Sequence, residues 1–403
     1  MKNKIQVALA FLVLALAGGA VVLYQRWNAV ADVPVTKQVE NYKQPKKKEK
    51  SPSFIALSQL VDQYAANALQ QGNINALAIA VYRDGEVYQQ YYGAQDSVTN
   101  QKPTPHTLYE IASISKVFLG SMVAKAVVEK KLNLQDDIRL YLPGDYANLQ
   151  YEGTPITIKN LLTHTLGFQK KAPPKLDQIY QGVRKGDYQA KSFDYTMTDL
   201  LQELQTAKLN KKPGTVYEYN SVGPELMAYI MEQVYQKPYK EILQDFLDTL
   251  DLQHTYLYEY EKHKKDLAVS FDEEGKVAPW LKNPLLGGSH GMISTLPDLS
   301  TFMQFQLESN HPLIGESSRL LFKEEEEGDD KGYLWDVGYG QKEGAYHGKT
   351  GTSNGVQSGI LICQDSNYGM IIIMNNTAEA AQEDWMNLYN QIETALIVYP
   401  KLN

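Results

Sequence analysis

The sequence predicts a mixed α/β (α+β) fold: an antiparallel sheet built from both chain ends, terminal helices laid over it, and a mainly helical region supplied by the middle. Three observations carry this. Ala76 to Tyr82 and Val87 to Tyr92 are β-rich runs on either side of Asp84-Gly85, an Asp-Gly turn that reads as a hairpin. At the other end, Ser358 to Cys363 and Tyr368 to Met374 form a second apolar hairpin. Each hairpin has a helical pattern beside it. Leu60, Val61, Tyr64, Ala65 and Leu69 recur at helical spacing in Ser58 to Gln71, which stops at Gly72, and Ala378 to Val398 is amphipathic. Between these ends, Ile114 to about Ile293 is helical pattern broken by loops. A sheet layer with a helical region beside it leaves a cleft, the natural place for chemistry.

The 403 residues divide into three. In residues 1–27, Lys2 and Lys4 precede an apolar stretch from Ile5 to Tyr24, broken only by Gln6 and Gly18-Gly19. About 20 apolar residues span a bilayer, and leading lysines favour an N-in, C-out orientation. Two readings stand: an uncleaved membrane anchor, which the long span favours, or a secretory signal cut after Ala29-Val30-Ala31. Both put the rest of the chain outside the cytoplasm. Residues 28–53 are polar and irregular, with the basic run Lys46-Lys47-Lys48-Glu49-Lys50 between Pro45 and Pro52, and read as a solvated linker. Residues 54–403 are the folded domain. A net charge of −8 with no basic domain argues against nucleic acid as a partner. The single cysteine, Cys363, excludes an intrachain disulfide and reads as a buried, inert thiol. Glu324 to Glu327, followed by Gly328-Asp329-Asp330, reads as a solvated loop.

Three short motifs carry chemistry. Ser113-Ile114-Ser115-Lys116 is the only Ser-x-x-Lys in the chain and runs into a strong helix pattern. Positions i and i+3 share a helical face, so Lys116 can reach the Ser113 hydroxyl. A serine is a poor nucleophile until a neighbour takes its proton, and a lysine in a dry site loses basicity enough to do so. Tyr219-Asn220-Ser221 follows Lys212-Pro213-Gly214 and precedes a helix. A phenol serves as a base near neutrality only with cations beside it, which two lysines can supply. Lys349-Thr350-Gly351-Thr352 precedes the C-terminal hairpin. There glycine permits close backbone approach, and lysine with a hydroxyl can bind a carboxylate. A phosphate loop is the competing reading of this last motif; the full glycine pattern is absent and a strand follows it, not a helix.

Together the three motifs resemble those of the serine β-lactamase and penicillin-binding protein superfamily, in its class C β-lactamase and D-alanyl-D-alanine carboxypeptidase branch. Further segments agree: Thr107 to Ala112 before the serine, Ile156 to Gly167, and Gly287-Gly288-Ser289 to Asp298. The resemblance covers roughly residues 54 to 397 and implies a β-lactamase/transpeptidase-like fold. It implies that Ser113 is acylated and that Lys116 and Tyr219 share base and acid duties. It gives Lys349, with Thr350 and Gly351, carboxylate binding or tuning of Tyr219, and the N–H groups of Ser113 and Thr352 the oxyanion hole. One position departs from the branch: the usual Tyr-x-Asn ends here in Ser221, whose shorter side chain cannot bridge lysine and substrate amide.

The implied activity is that of a membrane-anchored, extracellular serine hydrolase working through an acyl-enzyme on D-alanyl substrates of the cell envelope. Two partners fit as substrate: peptidoglycan stem peptides ending in D-Ala-D-Ala, or D-alanyl esters of teichoic acid. A β-lactamase and a catalytically inactive wall-binding relative are the alternatives. No cofactor is implied. The histidines are scattered without metal-ligand spacing, so no metal is expected. His164 reads as a structural residue of its loop, and His347 as a neighbour of the cleft without catalytic duty.

Overall fold

The computed structural model describes residues 42–43, 49–96, 99–184, 195–280, 285–325 and 328–399. The Ile5 to Tyr24 stretch, the cleavage site at Ala29 to Ala31, Glu326 and Glu327, and most of segment 28–53 lie outside them. Among the described residues, no helix is long and apolar enough to cross a membrane.

A seven-stranded antiparallel sheet organises the molecule. Its order is Glu86–Gly93, Ala76–Arg83, Tyr368–Met374, Gln357–Cys363, Gly344–Thr352, Asp336–Gly340, Asp330–Lys331. The two ends of the chain therefore meet at its centre, where Ile79 pairs with Ile372. The first hairpin turns at Asp84 and Gly85 with φ of 51° and 90°, both left-handed, as a tight two-residue turn requires.

Side chains alternate across the sheet with period two. Leu77, Ile79, Val81, Met370 and Ile372 pack under the terminal helices Pro52–Gln70 and Glu379–Val398, against Phe54, Val61, Trp385 and Ile392. Ala78, Ala80, Ile371 and Ile373 belong to the second core, with Phe118 and Phe302 stacked at 4.1 Å. Covered on both faces, these strands read as unbroken apolar runs. The N-terminal helix starts at Pro52, earlier than its apolar periodicity marks. Ser51 caps it by accepting from the Phe54 N–H, and Pro52 has no N–H to leave orphaned. Tyr42, inside the polar segment, donates to Glu308 at 3.0 Å and sets its ring edge-on to Phe305.

The middle of the chain packs below the sheet as helices, among them Ser115–Val128, Val222–Tyr235 and Leu296–Glu308. Ser115–Val128 is apolar almost all round and buried along most of its length, as a central core helix must be. A small sheet, ordered Tyr109–Glu110, Met292–Ser294, Thr255–Leu257, ties the approach to Ser113 to the segment after Ser289.

Sheet and helical region meet most closely at Gly351. A Cβ there would lie 2.5 Å from the Ile111 carbonyl oxygen and 3.0 Å from the Ser113 nitrogen. The Ser358 hydroxyl bonds the Gly351 carbonyl at 3.1 Å from the next strand, holding the approach. These are backbone atoms and cannot rotate away. Gly351→Ala is expected to cost about 1–3 kcal/mol by overpacking. It should lower the urea midpoint and slow labelling of Ser113 by a serine-directed reagent; an unchanged midpoint and labelling rate would contradict the close approach.

Candidate active site

Ser113 lies in a single 3-10 turn, Ala112–Ile114, just ahead of the Ser115–Val128 helix. The residue before it, Ala112, is buried at φ 46°. A non-glycine residue in that left-handed region costs roughly 1–2 kcal/mol, so packing on both sides must hold the turn. The resulting bend presents the Ser113 hydroxyl to the cleft while Ile111 and Ile114 stay in the core.

Two predicted side chains converge on that hydroxyl, and a third stands beside them. Lys116 Nζ donates to Ser113 Oγ at 3.0 Å, and the Tyr219 hydroxyl lies 2.7 Å from the same oxygen. Lys116 is buried, and its ammonium also donates to the Ser289 carbonyl at 2.7 Å. The ammonium of Lys116 stands 5.0 Å from the centre of the Tyr219 ring and that of Lys349 stands 5.2 Å from it.

The electrostatics follow from this geometry. Burial holds Lys116 below the usual lysine value, and the charge of Lys349 adds to the effect against the opposing pull of Tyr219 and Glu225. Burial pushes the Tyr219 phenol up, but Lys116 and Lys349 together outweigh it and leave the phenol below the usual tyrosine value. The Tyr219 ring is nevertheless 38% exposed, so its edge faces the open cleft while its hydroxyl sits among the cations. Because both values are lowered, the pair gives up a proton more readily, and the amine or phenolate so formed can take the proton of the Ser113 hydroxyl.

The strand carrying the third motif is pleated so that Lys349 and Gly351 are buried while Thr350 and Thr352 are exposed. The Thr352 hydroxyl donates to Gln357 at 2.6 Å across the hairpin. The contact of Gly351 with the Ser113 nitrogen brings this strand's backbone against the place where an oxyanion would form. Ser221 does not join the hydrogen-bonded cluster. It stands at the start of the Val222–Tyr235 helix, beside the buried Tyr180 phenol, while its neighbour Asn220 caps the helix by accepting from Gly223 at 2.8 Å.

Residues outside the motifs complete the site. Asp336 accepts from Lys349 and from Lys331, each at 2.9 Å. Glu225, fully buried, accepts from the N–H groups of Gly287 and Ser289 and from the Ser289 hydroxyl, which fixes the carbonyl that holds Lys116. Burial raises the Glu225 carboxyl above its usual value against these donors. His164 underlies Tyr219, with ring centres 4.7 Å apart, and accepts from the Asn220 N–H at 3.4 Å. Burial and the charge of nearby lysines keep its imidazole neutral. That is the structural duty expected of it. His347 is buried edge-on to Trp335 and is held neutral by burial, its value pushed down to about 3. Cys363 is buried, and burial pushes its thiol up to about 12. Glu225, Lys331 and Asp336 carry no local sequence signal, and nothing in the sequence ties the Gly287-Gly288-Ser289 segment to Lys116. Among the described residues no three His, Cys, Asp or Glu side chains are grouped to hold a metal ion.

Comparisons with known proteins bear on the family and the fold. The Beta-lactamase family model matches residues 59–391. Among curated proteins, Protein flp of Staphylococcus aureus (strain N315) is 27% identical over 345 residues, covering 83% of this chain and 66% of that protein. The chain thus spans just under two thirds of that relative's length. A Beta-lactamase of Providencia stuartii is 22% identical over 259 residues, covering 64% of this chain and 62% of that one. Among solved structures, a beta-lactamase/D-alanine carboxypeptidase from Yersinia pestis has a TM-score of 0.72 at 21% identity, covering 86% of this chain and all of that one. An octameric penicillin-binding protein homologue from Pyrococcus abyssi has a TM-score of 0.70 at 20% identity, covering 84% and 76%. These two likenesses bear on the fold, which is the β-lactamase/transpeptidase-like one. With a family model spanning most of its folded part, the chain belongs to the Beta-lactamase family.

Proposed function

We propose that this chain cleaves D-alanyl substrates of the cell envelope through an acyl-enzyme on Ser113, on the outer side of a membrane to which residues 1–27 anchor it. The observation that carries the chemistry is the Ser113 oxygen held 2.7 Å from Tyr219 and 3.0 Å from Lys116. The Ser113 proton passes to the Lys116–Tyr219 pair as the oxygen attacks the acyl carbon. The tetrahedral oxyanion is met by the N–H groups of Ser113 and Thr352. As the intermediate collapses, the pair returns the proton to the leaving oxygen or nitrogen. Water then gives its proton to the same pair and hydrolyses the ester on Ser113. An inactive wall-binding relative has no need for a dry, paired lysine at a strained turn.

Substrate class follows from what surrounds the serine. The D-alanine carboxypeptidase named among the structural relatives supports a D-alanyl acyl group. Ser221 offers no asparagine amide to grip a substrate peptide, and it lies beside Tyr180, away from the hydrogen-bonded cluster. That favours D-alanyl ester cleavage of the teichoic acid type over cleavage of D-Ala-D-Ala peptides, with slow β-lactam turnover. Lys2 and Lys4 ahead of the Ile5 to Tyr24 span support the anchor and its orientation.

Three outcomes are expected. Purified chain incubated with teichoic acid and with cell wall should release free D-alanine, and Ser113→Ala should reduce that rate by several orders of magnitude. An unreduced rate in the variant would remove Ser113 from the mechanism. On the acid side, kcat/KM should rise with pH as the Lys116–Tyr219 pair loses its proton. Because the Lys349 charge lowers both groups, Lys349→Met should move this limb to higher pH; an unmoved limb would show that Lys349 does not tune them. In intact cells, the chain should sediment with membranes and its folded domain should be digested by protease added outside. Full-length, protected chain in the soluble fraction would overturn the anchor.

A further inference from the structure

We propose that Asp336 is a specificity-determining residue, which holds Lys349 in an ion pair shared with Lys331 and so turns the site away from substrates that bring a free carboxylate to that lysine. The proposal rests on the reading of Ser113, Lys116 and Tyr219 as the acyl-transfer centre and deepens it by naming which acyl donors the site accepts.

Strand pairing brings the three charges onto neighbouring strands, and their ion pairs hold them together. Gly348 pairs with Asp336, and Asp336 pairs with Lys331, across the three edge strands of the sheet. The Asp336 carboxylate reaches one ammonium with each oxygen, both at 2.9 Å. Each ammonium has a tyrosine ring on another side: Lys349 stands 5.2 Å from the Tyr219 ring centre, and Lys331 stands 4.3 Å from that of Tyr217. The lysine side chains are 6% and 9% exposed, whereas that of Asp336 is 24% exposed. The carboxylate is therefore the most open member of the group, and an incoming anion meets it together with Lys349. Burial pushes the Asp336 carboxyl up, but the two lysines hold it below the usual carboxylate value, so it is charged at neutral pH.

A substrate carboxylate must displace Asp336 from Lys349 or sit against its negative charge, and like charges in a desolvated site repel strongly. Peptides ending in D-Ala-D-Ala carry that carboxylate. A D-alanyl ester of a polyol has a neutral hydroxyl-bearing leaving group where the peptide has its carboxylate, so that position meets no such penalty. Lys349 keeps its effect on Tyr219 in either case, because the ring and Asp336 occupy different sides of the ammonium. Asp336 is thus a filter on substrate charge that leaves the base pair tuned.

The test uses two thioesters with the same acyl-D-alanyl group and the same thioglycolate leaving group, one with a free carboxylate and one as its methyl ester. The readout is the ratio of their kcat/KM values, free acid over methyl ester. In Asp336→Asn, which keeps the shape and removes the charge, this ratio should rise at least tenfold over wild type. An unchanged ratio, including equal losses on both substrates, would overturn the proposal and leave Asp336 a structural residue. If Asp336→Asn does not fold, Lys331→Gln decides the matter. It removes one cation and leaves Asp336 to Lys349 alone, so the ratio should fall; an unchanged or raised ratio overturns the proposal. Both thioesters report any acyl transfer at Ser113. Failure to release D-alanine from wall polymers would therefore leave the ratio intact, and an unchanged ratio would leave the acyl-transfer reading intact.

Discussion

The site depends on one buried ammonium. Lys116 is 2% exposed, and its hydrogen bonds run to the Ser113 hydroxyl and the Ser289 carbonyl. Desolvating an ammonium is costly unless donors find acceptors or the group gives up its proton, and a nucleophile's partner gains from both. The rest of the architecture serves that placement. The Ser115–Val128 helix must be apolar nearly all round to bury the lysine. Glu225 must hold Gly287 and Ser289 so that a carbonyl points at Nζ. The edge strand must come close enough to shut out water, which is why Gly351 carries no side chain.

A sheet assembled from both chain ends gives this arrangement a rigid wall. Its central strands, Ala76–Arg83 and Tyr368–Met374, are buried along their whole length, with a hydrophobic core on each face. The strands that matter for the cleft lie toward the opposite edge from the first hairpin, where Gly344–Thr352 and Asp336–Gly340 are joined by backbone bonds and by the Lys349–Asp336 ion pair. Register sets Asp336 opposite Gly348, the residue before Lys349, so the two charged side chains meet from neighbouring strands. The helical region supplies Ser113 and Lys116 from one segment and Tyr219 from another, and the cleft forms where the two parts touch.

Sheet, terminal helices and helical middle were legible in the sequence because their signals are local and periodic. Asp84-Gly85 between β-rich runs marked a hairpin, and Ser358 to Cys363 matched a strand to within a residue. The N-terminal helix was misjudged in its start, because Ser51 and Pro52 set the boundary through capping while apolar spacing begins later. The Ser113, Lys116, Tyr219 and Lys349 set was legible from motif spacing. Asp336, Lys331 and Glu225 were not. Glu225 lies far along the chain from Lys116, Asp336 and Lys331 lie on other strands from Lys349, and each sits in a context where an acidic or basic residue reads as ordinary surface. What brings Asp336 to Lys349 is strand pairing, and no short pattern records that.

Lys349 shows why a motif residue cannot be assigned its duty from type alone. As a lone cation beside a threonine it reads as a carboxylate binder. In the folded chain its nearest anion belongs to the protein, and its other side faces the Tyr219 ring. Its charge still acts on the phenol, because Coulomb attraction needs proximity and not a free hydrogen-bonding site. Tuning the base and recruiting substrate are thus separable tasks. The sequence signature specifies only the lysine that can do both, and the partner on the neighbouring strand decides how much of the second task remains. On a fold shared by proteins named as beta-lactamases and as D-alanine carboxypeptidases, such a partner lets chemistry stay fixed while substrate charge preference changes.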